Sequence, residues 1–403
     1  MGRMSSGFAE LPLHDGHVPL FLLERMKKLG GLIARYIVEY YGPRELLTRL
    51  SDPLWFQAFN NVIGMDWDSS GSTTIVLYVL KNMFPPSMFR DNEIAVLGGK
   101  GRDSHNVVEE AWLVGDVVDY NTVVDTSRMA AKIDGVALQD GYSLYIHGLV
   151  IDSRGGILVI QQGLNEELGI ARRYHIFTSS HPLTTNRDPH SGVASVKMEP
   201  SLNLVDADSL NARRAIVEIV ASTPVNSLLQ NIGEVNRLLR GEHSILSWSS
   251  SGSITRKTGN RNLIKECPRY YRPVSNIRLM EKIAEEIKER GLREFDELLR
   301  IQGVGAEIIR ALALVADLIY GYRPSLRDPT TSIMDPFIYA YAHGGKDGVP
   351  YPIKVEHIDK TIDFFIKLLS DLKTGNKERE YMLKKLASFA GKIKLRYLDA
   401  SGD

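Results

Sequence analysis

The sequence predicts an α+β fold, with an N-terminal mixed domain that contains an antiparallel sheet and a C-terminal all-helical domain that carries a helix-hairpin-helix. Three patterns support this prediction. Apolar residues recur at helical spacing near the N-terminus, alternate with the period of strands in residues 142–178, and return to helical spacing after residue 208. Helices before and after a run of strands are typical of α+β proteins.

The predicted N-terminal helices come first along the chain. Residues 19–41 carry an apolar stripe, and their basic side chains fall on the other side. A second helix is predicted from Thr73 to Lys81, because the serine-rich residues 69–72 offer candidate N-caps before it. Further helices are expected over residues 209–240.

Three segments form the predicted sheet. Residues 142–152 and 157–163 are separated by Ser153-Arg-Gly-Gly, which is a good turn sequence, so they predict a β-hairpin. Residues 172–178 predict a third antiparallel strand.

The segment Leu298–Gly321 fits a helix-hairpin-helix, which binds a nucleic-acid backbone without reading its bases. Glycines in the hairpin permit a sharp turn and a close approach of a phosphate oxygen. The amides that follow lie at a helix N-terminus, where the helix dipole favours an anion. We therefore predict nucleic-acid contacts by Gly303, Val304, Gly305 and Ala306. The alternative is an ordinary corner between two helices.

The chain is predicted to divide into three parts. Residues 1–248 form a nuclease-like α+β domain, residues 249–273 a basic linker, and residues 274–403 a helical DNA-binding domain with the hairpin at 294–321. The linker contains six basic residues and one acid, which predicts either a solvated segment or a strap over a phosphate backbone. The strap would use Arg256, Lys257, Arg261 and Lys265, with Tyr270 and Tyr271 available to stack on bases.

Composition restricts the classes of protein that fit. The 49 basic residues equal the 49 acidic residues, so a nucleic-acid site has to be a local patch. The single cysteine, Cys267, excludes a disulfide framework, a cysteine-based zinc site and an iron–sulfur cluster. No apolar run reaches about 18 residues without a charge, and the N-terminus lacks a signal-peptide pattern, so we expect a cytoplasmic protein with no membrane partner. The high charge content suits a thermophile.

Two glycine-lysine segments are candidate phosphate-binding loops. Gly98-Gly99-Lys100-Gly101 and Gly344-Gly345-Lys346 could form anion-binding nests of backbone amides, with Lys100 and Lys346 adding charge. Neither has the spacing of a Walker motif, so nucleotide hydrolysis is not predicted. Glycine-rich surface turns are the alternative.

The predicted strands concentrate polar side chains that could catalyse phosphodiester cleavage. The candidate catalytic residues are Asp134, Asp140, His147 and Gln162, and the candidate metal ligands are Asp134, Asp140 and Asp152. Oxygen ligands suit Mg²⁺ or Mn²⁺, which could activate water. Arg172 and Arg173 are further candidate nucleic-acid contacts. The alternative to a metal site is a sheet whose polar face is simply exposed to solvent.

Two enzyme templates fit only in part. The PD-(D/E)xK arrangement needs an acid and a lysine on the second strand, where this chain has Ile160-Gln161-Gln162-Gly163, so the site is either degenerate or RNase H-like with acids such as Asp66 or Asp116. A helix-hairpin-helix glycosylase would use Asp328, although a turn before Pro329 explains that residue as well. The N-terminal group of His14, Asp15 and His17 could bind metal or fill a surface turn.

Several longer motifs carry a resemblance to a known family. They are Leu11-Pro-Leu-His, Asp66-Trp67, Ser69-Ser70-Gly71, Thr73-Thr74, Gly98-Gly-Lys-Gly, Gln139-Asp-Gly-Tyr, Gln161-Gln-Gly, Ala171-Arg-Arg-Tyr-His, Arg310-Ala-Leu-Ala-Leu-Val-Ala and Ala342-His-Gly-Gly-Lys-Asp-Gly. From Gly7 to Leu369 the chain resembles the domain-of-unknown-function family numbered 763, found mostly in archaea and some bacteria. The resemblance implies a family discussed in connection with DNA processing and without a settled activity.

Together these patterns predict a protein of nucleic-acid processing or repair that binds DNA, single-stranded or structured, through its helical domain. Metal-dependent phosphodiester cleavage in the N-terminal domain is the predicted chemistry. A monofunctional DNA glycosylase and a non-catalytic DNA-binding adaptor are the alternatives.

Overall fold

The computed structural model describes residues 18–65, 71–179, 182–242, 260–275, 277–333 and 355–371. Within these ranges, helices pack on both faces of a six-stranded sheet. The predicted mixed α+β class with an antiparallel sheet is therefore confirmed. No helix in this part of the chain is both long and apolar enough to cross a membrane.

The sheet has the strand order β1-β3-β4-β5-β6-β8, and a separate two-stranded ribbon joins β2 to β7. All neighbouring strands in the sheet are antiparallel except β6 and β8. The strands are β1 (Ile94–Lys100), β2 (Leu138–Gln139), β3 (Ser143–Asp152), β4 (Ile157–Asn165), β5 (Ile170–Thr178), β6 (His190–Ser195), β7 (Leu202–Asn203) and β8 (Ser332–Ile333). The three predicted strands correspond to β3, β4 and β5. The first strand, β1, was not predicted, and it includes the first three residues of the glycine-lysine segment at 98–101.

One set of helices covers the sheet face that we call the α1 face, which carries Val150, Leu158 and Ile160. The set comprises α1 (Leu20–Tyr41), α2 (Pro43–Ser51), α3 (Pro53–Val62), α4 (Ser72–Met83) and α14 (Val355–Asp371). The predicted helices at 19–41 and 73–81 correspond to α1 and α4. Gly71 is the N-cap of α4, so Ser72, one of the three candidate caps, is a helical residue, and the other two, Ser69 and Ser70, lie outside the described residues.

The opposite face, which we call the α7 face, carries Leu149, Val159 and Ile176. Its helices are α5 (Phe89–Asn92), α6 (Val107–Val114), α7 (Tyr120–Lys132), α8 (Leu210–Ser222), α9 (Val225–Arg240), α10 (Asn260–Glu266), α11 (Ile277–Arg290), α12 (Phe295–Arg300) and α13 (Ala306–Leu318). One hydrophobic core extends from this face through α7 and α8 to α13. The domain boundary at residue 248 stays a prediction, and the described helices on its two sides share that core.

Candidate functional site

Polar side chains occupy one half of the sheet and apolar side chains the other. In the polar half, His147 pairs with Gln161 and Gln161 with Tyr174, and these side chains face α7. In the adjacent row, Gln162 pairs with Arg173 on the α1 face. Burying so many polar groups is unfavourable unless each is hydrogen-bonded, so this half of the sheet is the candidate functional site.

On the α7 face, a continuous chain of hydrogen bonds joins residues from α7, β3, β4 and β6. Ser127 Oγ lies 2.7 Å from His147 Nε2, and His147 Nδ1 lies 2.8 Å from Gln161 Oε1. Gln161 Nε2 donates to Asp134, whose other oxygen lies 2.6 Å from His190 Nε2. His190 Nδ1 lies 2.6 Å from the carboxylate of Asp188. We call this group, Ser127, His147, Gln161, Asp134, His190 and Asp188, the α7 cluster.

The position of α7 across the strands explains the cluster. Asp119 caps the helix by accepting from the Thr122 amide at 2.8 Å. The helix then continues into a π-helical turn at Ile133–Ala137 that contains Asp134. Ser127 therefore lies above β3, whereas Asp134, seven positions later in the chain, reaches β4 and β6. Such π-turns occur frequently at functional sites.

The tautomer of His147 follows from its neighbours. Gln161 Nε2 donates to the Ala130 carbonyl at 3.1 Å and to the Asp134 carboxylate, so the Gln161 oxygen has to face His147. His147 Nδ1 therefore carries the proton and donates to that oxygen. His147 Nε2 is left to accept from the Ser127 hydroxyl. Burial lowers the pKa of His147, which keeps the ring neutral near pH 7.

His190 has the opposite charge state, because both of its ring nitrogens face carboxylates. Burial lowers the pKa of His190, but Asp134 and Asp188 together raise it to about 10. Burial raises the pKa of Asp188, but the hydrogen bonds from His190 and its positive charge together lower it by more. We therefore describe His190 as an imidazolium between two carboxylates, one buried and one at the surface.

The α1 face carries a second polar group, which we call the carboxamide cluster: Gln57, Asn60, Asn61, Thr73, Gln162 and Arg173. Gln162 accepts from Thr73 and donates to the Tyr145 hydroxyl. It thus faces away from Asp134, Asp140 and His147, and the predicted catalytic set of these four residues does not form one group. Gln161, the adjacent residue on the other face, is the partner of His147 and Asp134.

Arg172 and Arg173 are both buried, which corrects their prediction as nucleic-acid contacts. Arg173 is 0% exposed, donates to the Pro53 carbonyl at 3.3 Å and packs over the Phe56 ring, and its burial lowers its pKa to about 9. Arg172 is 1% exposed and lies between Asp140 at 2.9 Å and Asp328 at 2.8 Å. Neither guanidinium is on a surface that a nucleic acid could reach.

The three predicted metal ligands do not converge. Asp152 lies at the far end of β3, where Arg44 and the Gly156 amide hold its carboxylate. Asp140 accepts from the Tyr142 amide, the Arg172 guanidinium and the Tyr174 hydroxyl. In the described part of the chain, no three His, Cys, Asp or Glu residues form a group suited to a metal ion. The donor atoms thus give no support to Mg²⁺ or Mn²⁺, whose binding stays a prediction.

The predicted hairpin, residues 303–306, lies between α12 and α13. Gly303 has a φ of 90°, and Val304 is buried in the core with its amide donating to the Ile301 carbonyl at 3.3 Å. Gly305 has extended backbone, and a Cβ added there would meet nothing within 4 Å. Within the described residues, the Gly305 and Ala306 amides have no acceptor.

Two side chains from the N-terminal half support this hairpin. Lys132, the last residue of α7, donates to the Val304 carbonyl, and Gln139 donates to the Ala306 carbonyl at 2.8 Å. Burial lowers the pKa of Lys132. These contacts fix the hairpin against the end of α7 and against β2.

The remaining predicted contacts have different outcomes. Lys100 is exposed at the end of β1, but the Gly98 amide before it donates to Glu110 at 2.7 Å, so that amide is not available to a phosphate. Lys265 is exposed in α10. Tyr270 and Tyr271 are each 1% exposed and donate to Asp317, so their availability for base stacking was predicted wrongly. Several predicted residues lie outside the described residues, namely His14, Asp15, His17, Asp66, Arg256, Lys257, Lys346 and the side chain of Arg261.

Sequence reasoning missed four members of the α7 cluster: Ser127, Gln161, Asp188 and His190. For Gln161 a signal was present, because strand alternation places it, and not Gln162, opposite His147 in a hairpin of this length. For the others, the positions of α7 and β6 over the sheet had to be known first.

No curated protein and no solved structure matches this chain. A family model described as "Protein of unknown function (DUF763)" matches residues 7–353, which include the strands β1–β8 and the hairpin between α12 and α13. The chain therefore belongs to the DUF763 family.

Proposed function

We propose that the protein binds the sugar-phosphate backbone of nucleic acid, with DNA as the ligand to test first, through a helix-hairpin-helix formed by α12, residues 301–305 and α13. The observation that carries this proposal is the open N-terminus of α13. The Gly305 and Ala306 amides have no acceptor within the described residues, and the space beside Gly305 is empty for at least 4 Å.

The charges around the hairpin are compatible with a bound phosphate. The helix dipole of the 13-residue α13 favours an anion at this end. Glu307 stands on the same turn, but Arg310 donates to its carboxylate at 2.6 Å and Arg272 lies 3.6 Å away. Burial raises the pKa of Glu307, but the hydrogen bonds from Arg310 and the Ser275 amide, with the charges of Arg310 and Arg272, together lower it by more. Its negative charge is therefore compensated locally.

Backbone amides and a dipole recognise phosphate and not bases, so the proposed binding is independent of sequence. It should weaken as salt increases, since each phosphate contact releases counterions. A helix-dipole contact contributes about 1 kcal/mol, so several contacts are needed for stable binding.

Gly305→Asp tests the proposal directly, because it places a carboxylate where phosphate would lie and the extended backbone accepts any residue. We expect the affinity for fluorescein-labelled single-stranded and duplex DNA to fall about tenfold or more in fluorescence anisotropy, which corresponds to about 1.4 kcal/mol. Gly233→Asp is the matched control. It makes the same charge change in α9, where a Cβ also meets nothing within 4 Å, and should leave affinity unchanged. Equal affinity of both variants and the wild type would remove the hairpin from the interface.

A second candidate function, phosphodiester cleavage, is favoured by the neutral His147 of the α7 cluster, which is a base beside a hydroxyl. To test it, labelled DNA is incubated with the protein in Mg²⁺, Mn²⁺ or EDTA. The products distinguish phosphodiester cleavage from its alternatives, a glycosylase and a non-catalytic adaptor. A phosphodiesterase produces strand breaks at once, whereas a glycosylase produces sites that break only after alkali. Asp328 gives the glycosylase no support, because its carboxylate already accepts from the Arg172 guanidinium and from the backbone amides of Glu199 and Thr330. Binding without either product would favour the adaptor.

A further inference from the structure

The pair of Ser127 and His147 has the geometry of a nucleophile and its base. Ser127 Oγ lies 2.7 Å from His147 Nε2, within the range required for general base catalysis. The neighbouring hydrogen bonds fix the tautomer in which Nε2 accepts. Gln161 holds the far side of the ring, and the Asp134 carboxylate behind Gln161 polarises its amide toward the imidazole.

The surface beside this pair is basic. The turn Gly101–His105 packs against β3, and His105 acts electrostatically on His147. Arg102 and Arg128 are exposed and form no ion pair with any described residue, whereas the Lys100 ammonium lies over the Tyr145 ring on the α1 face. The exposed acid of this turn is Asp103. A local excess of positive charge favours a phosphate-bearing ligand over a neutral ester.

Ser127 is 7% exposed, and His147 beside it is a half-buried residue whose imidazole is desolvated. The hydroxyl lies on the sheet-facing side of α7, whereas Arg128 next to it points to solvent. A phosphodiester would therefore have to approach Ser127 on the side of the turn Gly101–His105, because Arg128 points away from the hydroxyl.

We infer that Ser127 is the nucleophile and His147 the general base of a phosphodiester-cleaving site, with Gln161 as a positioning residue. The inference rests on the proposed binding of nucleic acid. Ser127 Oγ forms a bond to phosphorus while the bond from phosphorus to the leaving oxygen breaks. The serine proton moves to His147 Nε2 and then to the leaving oxygen. A water oxygen next forms a bond to phosphorus while the bond from phosphorus to Ser127 Oγ breaks. One water proton moves through His147 Nε2 to Oγ, which restores Ser127 and releases a phosphate monoester.

Ser127→Cys tests the base and the accessibility of the site without any substrate. A thiol beside the neutral ring should form a thiolate and be alkylated by iodoacetamide near pH 7. We expect alkylation at least about tenfold slower in the double variant Ser127→Cys/His147→Gln, because the base is gone. The wild type, whose single cysteine is the buried Cys267, gives the background rate of alkylation. A thiol that reacts only after denaturation, or equally in both variants, would overturn the inference.

Turnover provides the second test, with bis(4-nitrophenyl) phosphate as the probe. We expect the wild type to release 4-nitrophenolate in EDTA, and Ser127→Ala to lower that rate about 100-fold or more. Ser222→Ala is the matched control, because Ser222 is also helical and its hydroxyl donates to the Glu218 carbonyl at 2.7 Å. Circular dichroism and the Tm of both variants show whether they fold.

The two proposals are tested with different ligands, since the hairpin is tested with DNA and the nucleophile with the small probe. Loss of DNA binding in Gly305→Asp, together with EDTA-resistant probe turnover in the wild type, supports both proposals. Normal probe turnover with no hairpin effect contradicts only the binding proposal. No EDTA-resistant turnover in the wild type, or full turnover in folded Ser127→Ala, contradicts the nucleophile assignment alone.

Discussion

Replacing His190 by glutamine tests the charge at the centre of the α7 cluster. The imidazolium lies 2.6 Å from both Asp134 and Asp188, and its side chain is 1% exposed. Glutamine is neutral, so the buried carboxylate of Asp134 would lose its cation. Breaking a buried ion pair from one side destabilises a protein by about 3–5 kcal/mol.

The pKa of His190 gives a second measure of the same effect. Burial lowers this pKa, but the two carboxylates raise it from 6.5 to about 10. At about 1.4 kcal/mol per pH unit, such a shift corresponds to at most about 5 kcal/mol, because the burial that raises the pKa of Asp134 offsets part of the gain. Because the folded pKa is raised, this stabilisation is complete below pH 6.5 and is lost as the pH rises through about 10.

Differential scanning calorimetry measures the prediction. With an unfolding entropy of about 2.1 cal/mol/K per residue, a loss of about 4 kcal/mol in a chain of 403 residues lowers the Tm by about 5 °C. We expect this difference between His190→Gln and the wild type near pH 6, and a smaller difference near pH 10. The double variant Asp134→Asn/His190→Gln should recover much of the loss, because it leaves no unpaired buried charge. A difference below about 1 °C near pH 6, or one that is the same at both pH values, would refute the charged state of His190.

Two further substitutions test the buried polar contacts. Arg172→Lys should lower the free energy of unfolding by about 3 kcal/mol in urea titration, because an ammonium cannot bridge Asp140 and Asp328 as the guanidinium does. An unchanged urea midpoint would contradict this bridge. Tyr271→Phe should cost about 1–2 kcal/mol, since it removes a donor 2.9 Å from the Asp317 carboxylate, and a variant as stable as the wild type would show that this bond contributes nothing.

Strands β3, β4 and β5 could be predicted because their side chains alternate and good turns separate them. The same alternation predicts which residues share a face, so Gln161 was a better choice than Gln162 for the partner of His147. Strand β1 was missed, because its last residues are Gly98, Gly99 and Lys100, a composition typical of loops. Both glycines have positive φ, 74° for Gly98 and 153° for Gly99, so this end of the strand is irregular.

The burial of individual charged and aromatic residues could not be predicted from local patterns. Arg172 has its partners, Asp140 and Asp328, 32 and 156 residues away in the chain. The two tyrosines of the predicted linker, Tyr270 and Tyr271, donate to Asp317, which is 47 and 46 residues away. A sequence window reports that such residues are polar or aromatic, but only the tertiary fold decides whether they face solvent. The turn between α12 and α13 lies where the hairpin was predicted, since its glycines and apolar frame are adjacent in the sequence, and its nature as a helix-hairpin-helix stays a prediction.

Helix α7 connects the proposed binding and chemical sites. Ser127 and Lys132 are five residues apart on this helix, which corresponds to about 7.5 Å along its axis, and Lys132 donates to the Val304 carbonyl of the hairpin. A phosphate at the Gly305 amide would therefore be held at a nearly constant distance from Ser127. Since successive residues of a nucleic-acid strand rise by about 3.4 Å, we expect the attacked phosphodiester to lie a few nucleotides from the phosphate that the hairpin holds.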